Sequence, residues 1–145
     1  MERCRSERHA GWVELRDALW PQPRELHLAE MAAIAAEPRR HAAFIAYVGD
    51  AQPAGLAEAA LRSDYVNGTQ SSPVAFLEGI YVAAPRRRQG IARALVTRLC
   101  AWAREVGARE IASDALVENQ ASDAVHRGLG FVETERVVFY RKPLV

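Results

Sequence analysis

The feature that most constrains the fold is a change of hydrophobic period in the middle of the chain. The run Val74–Val82 is apolar and rich in β-branched and aromatic residues, which is typical of a strand. From Ile91 onward the apolar residues recur every three or four positions, as on one face of a helix. The pattern therefore predicts a strand, a basic turn over residues 86–90, and a long helix over about residues 91–106.

The turn between this strand and this helix has the chemistry of an anion-binding site. The first N–H groups of a helix have no intrahelical partner, and the helix dipole adds positive charge there. Gly90 would let a ligand approach the backbone closely, and Arg87 and Arg88 add full charges. A phosphate group is the natural ligand, but spacing alone leaves open an ordinary turn with solvated arginines.

The other periodic segments predict a single α+β domain, residues 1–145, without linkers or repeats. Prolines end the first two helices, because proline disfavours helix in the residue before it. Helices are expected over about residues 9–19, 25–37 and 118–130. Further strands are expected at residues 1–5, 44–48, 54–61, 110–114, 131–133 and 137–142. The mixed central sheet would have about six to seven strands, flanked by four helices.

Composition excludes several classes of protein. A chain of 145 residues, 50% of them hydrophobic, can bury one core without disulfides or metals. A formal net charge of +1 gives no general signature of nucleic-acid binding. Cys4 is near the terminus and Cys100 is inside a predicted helix, so we expect free thiols and no metal site. Residues 1–7 lack an apolar signal core and no membrane-spanning run is present, so we expect a cytoplasmic protein without a membrane partner.

Three side chains stand out as candidates for ligand contact. Glu78 lies inside the apolar run Val74–Val82. Burying a carboxylate there would be costly unless it were paired or had a function. Tyr65 adjoins a polar, glycine-containing loop, where an exposed aromatic ring can contact a ligand. Trp20 lies on a proline-constrained loop, where a contact with ligand and a packing role between two helices are both open.

Two motifs resemble the GCN5-related N-acetyltransferase (GNAT) family. Arg87, Gly90 and Ala92 match its Gln/Arg-x-x-Gly-x-Gly/Ala signature, at the strand-to-helix junction that the family uses. Asn119, followed by a helix and Gly130, matches a second family landmark. The order of predicted elements agrees over nearly the whole chain. The resemblance implies a GNAT fold with acetyl-coenzyme A as the acetyl donor.

The resemblance also implies where acetyl-coenzyme A binds. The sheet would splay between the strands at 74–82 and 110–115, and the pantetheine arm would pair with the backbone in that gap. The pyrophosphate would bind the amides at the start of the long helix, as the dipole argument proposes independently. The implied cofactor-binding residues are Ile80, Tyr81, Val82, Arg87, Arg88, Gln89, Gly90, Ile91, Ala92, Arg93 and Asn119.

A narrower resemblance concerns the acceptor. From Trp20 onward, several segments are similar to the aminoglycoside 6'-N-acetyltransferases of the chromosomal Gram-negative type, including residues 64–68, 76–80 and 130–137. In that subgroup an aromatic and acidic set binds the cationic aminoglycoside, and it maps onto Trp20, Tyr65, Glu78, Asp114 and Glu135. One departure is a loop that is a residue shorter after Trp20, so that a substrate-contacting histidine is not matched at Pro23.

The subgroup implies acetylation of the 6'-amine, antibiotic resistance, and a homodimer, with strands such as residues 137–140 at its interface. We predict direct transfer, in which the bound amine attacks the thioester carbonyl. Glu78 is then a candidate general base or an anchor for the ammonium. His126, four residues before Gly130, stands near where many family members have a tyrosine, and is a candidate proton donor to the leaving thiolate. A helix histidine packing beside Val125 is the alternative.

Two other readings stay open at this point. One is acetylation of a different amine, on a polyamine, a small metabolite or a protein, because an acidic site suits any polycation. The other is a non-catalytic module that binds acyl-coenzyme A, because a fold does not fix a function. Nucleic-acid binding through residues 86–88 is disfavoured by the modest net charge.

Overall fold

The computed structural model describes residues 1–145 and divides them into two compact units, Met1–Asp114 and Ala115–Val145. The first unit contains β1 (Glu2–Arg3), α1 (Trp12–Leu19), α2 (Arg24–Ala36), β2 (His41–Val48), β3 (Gln52–Arg62), β4 (Val74–Val82), α3 (Ile91–Glu105) and β5 (Ile111–Ala112), with a 3-10 turn at Ala84–Arg86. The second unit contains α4 (Gln120–Gly128). The predicted α+β class is confirmed.

The strands form one sheet in the order β1-β2-β3-β4-β5. Neighbours are antiparallel from β1 to β4, and β5 joins β4 in parallel, so the sheet is mixed as predicted. Because side chains alternate between the two faces of a strand, each face receives its own set of helices. Ile45 and Leu56 pack with Trp12 of α1 and Met31 of α2 in one core cluster.

Helix α3 lies close against β3 because that strand carries a glycine at the crossing. A Cβ added at Gly55 would come within 2.9 Å of the Ile91 Cγ2 atom and 3.2 Å of the Leu95 Cδ1 atom. Leu95 and Leu99 are fully buried, as the helical spacing predicts. The close contact places the first residue of α3 beside the sheet, next to the turn that leaves β4.

The splay predicted between β4 and β5 is present. The two strands pair only through Ala75 with Ile111 and Phe76 with Ala112. Beyond Leu77, β4 has no strand neighbour on that side. This half of β4 therefore has an open edge, which is the geometry that a ligand needs to pair with the backbone of a strand.

The sheet has five strands rather than six to seven, because the last two predicted strands are not formed. Residues 131–145 contain no strand. Their β-branched and aromatic side chains are instead exposed, Phe139 to 87% and Tyr140 to 92%. A strand is defined by hydrogen bonds to a neighbouring strand, and this segment has none within the chain. The predicted strand at residues 110–114 is also shorter, at Ile111–Ala112.

None of the helices combines the length and the apolar character that a membrane span requires.

Candidate active site

A β-bulge in β4 turns Glu78 out of the apolar run in which it occurs. Glu58 of β3 pairs with Gly79 and Ala59 pairs with Leu77, so Glu78 is an extra residue without a partner in the ladder. A bulge of this kind bends a strand and redirects a side chain. The Glu78 side chain is 36% exposed, whereas Leu77 is buried. The bulge thus explains how a carboxylate can occur in an apolar strand without being buried.

Trp20 lies directly against the backbone at this bulge. A Cβ added at Gly79 would come within 2.3 Å of the Trp20 Cζ2 atom and 2.8 Å of the Leu19 Cδ2 atom. Only glycine leaves room for the indole here, because every other residue would overlap the ring. The fold therefore brings the Trp20 ring against Gly79, the residue that follows Glu78 in the strand.

A buried ion pair holds the end of α1 that carries Trp20. The Arg16 guanidinium donates from Nε to Glu58 Oε1 over 2.8 Å, and the Trp12 indole donates to the same oxygen over 2.7 Å. Arg16 also donates to Glu30 Oε2 over 2.8 Å and lies 5.2 Å from the centre of the Trp20 ring. Burial raises the pKa of Glu58, and the Arg16 charge opposes that shift. A hydrogen bond from Arg16 lowers the pKa of Glu30, and a second from Gln22 adds to the shift.

The loop after Trp20 is tied down by His27, which is fully buried. Its Nδ1 atom faces two donors, Arg16 Nη1 at 3.2 Å and Gln22 Nε2 at 3.0 Å, so it must accept. The Nε2 atom then carries the hydrogen and donates to Asp17 Oδ1 over 3.3 Å. This short loop is therefore anchored by His27 to α1 and to Gln22.

Arg62, at the end of β3, pairs with Glu78. The pairing register places Arg62, Phe76 and Gly79 on the same face of the sheet. The Arg62 guanidinium lies 3.6 Å from the centre of the Phe76 ring and donates to Glu78 Oε1 over 2.9 Å. The bulged carboxylate thus has an internal cation as its partner.

Tyr65 lines a shallow cavity that begins at Arg62. The cavity has a volume of about 540 Å³ and is lined by residues 61–66 and Arg40. Tyr65 is 75% exposed, and the neighbouring Asp64 is also exposed. An aromatic ring that is open to solvent beside a charged pair is suited to contact a polar, cationic ligand.

Asp114 follows β5 and is exposed. The preceding residue, Ser113, donates from its hydroxyl to the Leu77 carbonyl over 3.3 Å. Since Leu77 immediately precedes the bulge, Asp114 and Glu78 each lie one residue beyond this contact. The structure thus brings Asp114 to the same end of the β4 and β5 pair as Glu78.

The turn between β4 and α3 has a backbone shape that is suited to anion binding. Arg88 and Gly90 adopt φ angles of 61° and 82°, in the left-handed region. Such residues can direct successive amides into one concavity. A Cβ added at Gly90 would meet no atom within 4 Å, so the space beside it is open. These features, with the open edge of Ile80 and Val82, fit the pyrophosphate and pantetheine of acetyl-coenzyme A.

Arg87 contacts β4 from the turn. Its Nε atom donates to the Val82 carbonyl over 2.9 Å, and its guanidinium lies 5.9 Å from the centre of the Tyr81 ring. The side chain therefore braces the turn against β4. The neighbouring side chains of Arg88 and Gln89 are exposed.

The second unit contains the other three predicted site residues. Asn119 caps α4 by accepting from the Ser122 N–H over 3.0 Å. The His126 Nδ1 atom donates to the Ser122 carbonyl over 2.7 Å, and its ring meets Phe131 edge-on with centroids 5.3 Å apart. Glu135 is exposed. His126 thus packs against Phe131.

The sequence argument missed Arg62 and the function of Gly79. Arg62 lies sixteen residues from Glu78, and only the strand pairing brings them together. Gly79 did offer a signal, because an isolated glycine inside a strand pattern often marks a bulge or a close approach.

Comparisons with known proteins identify the family. The model of the acetyltransferase (GNAT) family matches residues 12–131. The Serratia marcescens aminoglycoside N(6')-acetyltransferase type 1 is 51% identical over 142 residues, which cover 97% of each chain. The Salmonella typhimurium enzyme of the same name is 48% identical over 132 residues, 90% of each chain.

Solved structures agree with this assignment. The AAC(6')-Ih structure from Acinetobacter baumannii has a TM-score of 0.91 at 45% identity, covering 97% of this chain and 95% of that one. AAC(6')-Iy in complex with the bisubstrate analogue CoA-S-monomethyl-acetylneamine has a TM-score of 0.86 at 47% identity, covering 91% and 89%. Motif, fold and relatives coincide, and the chain belongs to the GNAT family of acetyltransferases.

Proposed function

We propose that this protein transfers the acetyl group of acetyl-coenzyme A to the 6'-amine of aminoglycoside antibiotics, and so confers resistance to them. The observation that carries the proposal is the bulge in β4, which turns out the Glu78 carboxylate next to Gly79, the residue that Trp20 packs against, where the open strand edge begins. The names of the relatives at 48% to 51% identity support the same activity.

The acceptor would be bound by aromatic faces and carboxylates. An aminoglycoside carries several ammonium groups on sugar rings, so it needs negative charges and flat apolar surfaces. Trp20, Tyr65, Glu78 and Asp114 supply these within the first unit, and Glu135 adds a carboxylate in the second. The acidic set then selects the cationic acceptor, while the basic turn selects the donor.

The donor would be bound mainly by backbone groups. The open edge of Ile80, Tyr81 and Val82 would pair with the pantetheine arm, and the amides of residues 88–92 would bind the pyrophosphate. Gln89 and Arg93 complete this turn. Asn119 would contact the same arm, in addition to capping α4.

Acetyl-coenzyme A supplies an acetyl thioester, which a neutral amine can attack directly. Glu78 would anchor the ammonium and receive its proton, directly or through a water molecule. A backbone N–H near Ile80 or Val82 would donate to the thioester oxygen as negative charge develops on it. The new C–N bond replaces the C–S bond, so no acetylated side chain is required.

His126 is the proposed donor of a proton to the departing thiolate. Its Nδ1 atom already donates to Ser122, so a neutral ring would carry its only hydrogen there. The Nε2 atom could then donate only from the imidazolium form. His126→Ala should lower kcat by at least about tenfold, and a kcat within about twofold of wild type would exclude the acid role.

Three further properties belong to the proposal. The family model spans residues of both units, so we infer one acetyltransferase domain over residues 1–145. We also propose a homodimer and a cytoplasmic location, without nucleic-acid or membrane partners. The exposed apolar side chains of residues 137–140 support the dimer, because monomeric proteins seldom expose a continuous apolar segment of this kind to water.

The test is a thiol-release assay with acetyl-coenzyme A and a panel of acceptors. Neomycin and paromomycin are a matched pair, because they differ only in bearing an amine or a hydroxyl at the 6' carbon. We expect turnover with kanamycin, tobramycin and neomycin, and a much lower rate with paromomycin. Equal rates for the matched pair would refute the 6' position, and activity only with spermidine or a basic peptide would refute the substrate class. Cys100 is partly exposed, so a protein blank is needed for the thiol reagent.

A further inference from the structure

We propose that Arg62 occupies the ammonium subsite on Glu78 in the free enzyme, and that the acceptor amine displaces it on binding. The inference rests on the proposed function, in which Glu78 receives the reacting amine. It adds a residue that competes with the acceptor and so limits its affinity.

The geometry of the pair is the first argument. Arg62 Nη2 lies 2.9 Å from Glu78 Oε1, which is the distance of a charge-assisted hydrogen bond. This is the arrangement that an acceptor ammonium needs at the same oxygen. Glu78 has no other hydrogen-bond partner among the side chains, so the acceptor and Arg62 would seek the same partner.

The exposure of the pair is the second argument. The side chains of Arg62 and Glu78 are 43% and 36% exposed, so water already screens their attraction. Exposed ion pairs contribute little to stability, and replacing one cation by another costs little. The buried pair of Arg16 and Glu58 is the contrast in this protein, since its side chains are only 6% and 5% exposed and no ligand could exchange with it.

The third argument is that Arg62 has a second contact, which it can keep after it leaves Glu78. Its guanidinium lies 3.6 Å from the centre of the Phe76 ring, a cation–π contact that does not depend on Glu78. The cavity that contains Tyr65 adjoins the same side chain and is open to solvent. After displacement, the arginine can keep its ring contact and point its donors into this cavity.

The test is a cycle of Arg62→Gln, Glu78→Gln and the double variant, with neomycin as the acceptor. Calorimetric titration gives its Kd without turnover, and steady-state kinetics give KM and kcat at saturating acetyl-coenzyme A. We expect Arg62→Gln to tighten Kd and lower KM by about two- to fivefold, as for loss of an exposed ion pair. Adding Glu78→Gln should abolish this gain.

Arg40→Gln is the matched control, because Arg40 lines the same cavity but pairs with Glu37 at 3.3 Å. An equal gain in this variant would mean a general charge effect, and would overturn the inference. So would an Arg62→Gln variant whose Kd is unchanged or weaker, or a gain that persists without Glu78. These outcomes differ from failure of the proposed function, in which the wild type acetylates no aminoglycoside or Glu78→Gln alone changes neither Kd nor kcat.

Discussion

Cys4 shows how burial of one side chain controls a pH response. The residue is 5% exposed in the core cluster beneath α1 and α2. Burial raises the pKa of its thiol far above the ordinary value, and the negative charges of Glu58 and Glu2 add to the shift. The folded protein therefore keeps this thiol protonated at pH values where the unfolded chain would ionise it.

The sign of the effect follows from proton linkage. Because the folded pKa lies above the unfolded value of about 8.5, the stabilisation is complete below that pH and declines above it. We expect Cys4 to steepen the loss of unfolding free energy above about pH 8.5 by at most ~1.4 kcal/mol per pH unit. Urea unfolding of wild type and Cys4→Ala from pH 7 to 10 measures the difference.

Cys100→Ala is the control in this comparison, since Cys100 is only partly buried on α3. Burial also raises the pKa of Tyr47 to about 12, so that residue affects both proteins only at higher pH. Parallel curves for wild type and Cys4→Ala would contradict the prediction.

Single residues also show which parts of the site could and could not be predicted from the sequence. Glu78 could be singled out because a carboxylate interrupts an apolar run, but its exposure depends on a bulge that no residue pattern specifies uniquely. Arg62 carried no signal, because its importance comes from a partner on another strand. Local rules find residues that conflict with their surroundings, whereas partners across a sheet depend on register.

At the scale of secondary-structure elements, two glycines each support a different substrate site. Gly79 makes room for the Trp20 ring at the acceptor side, and Gly55 makes room for Ile91 at the start of α3. A methyl group at either position would overlap its neighbour and move it, at a cost of ~1–3 kcal/mol. The two substitutions should therefore disturb different substrates.

We expect Gly79→Ala to raise the KM for aminoglycoside and Gly55→Ala to raise the KM for acetyl-coenzyme A, each by about tenfold, which corresponds to ~1.4 kcal/mol. Steady-state kinetics with one substrate varied and the other saturating measure both constants. Each variant is the control for the other, because in both an added methyl group overlaps neighbouring atoms. An identical rise of both constants in both variants would mean general destabilisation and would refute the separation.

The elements that were predicted well are those whose partners lie within the chain. The bounds of β4 agree with the prediction, and α3 begins at the predicted residue, because the change of period marks both. The strands expected at residues 131–133 and 137–142 were wrong, since β propensity states a preference and cannot supply a hydrogen-bonded neighbour.

At the scale of the whole molecule, the proposed dimer would explain why the C-terminal segment has no strand partner within the chain. Val138, Phe139 and Tyr140 are exposed to 74%, 87% and 92%, a run of large apolar side chains that is costly to leave in water. A second copy of the chain would offer an identical segment, and a two-fold axis would let the two cover each other. The β propensity of these residues would then be satisfied between subunits.

This explanation predicts that one exposed ring controls the oligomeric state. Light scattering on a sizing column should give about twice the 16.0 kDa chain mass for wild type and a value near 16.0 kDa for Phe139→Lys, because a charge would have to be buried in the interface. Leu116→Lys is the matched control, since Leu116 is also in the second unit and is 71% exposed. A monomeric wild type would exclude the dimer, and a Phe139→Lys protein that stays dimeric would exclude this segment as its interface.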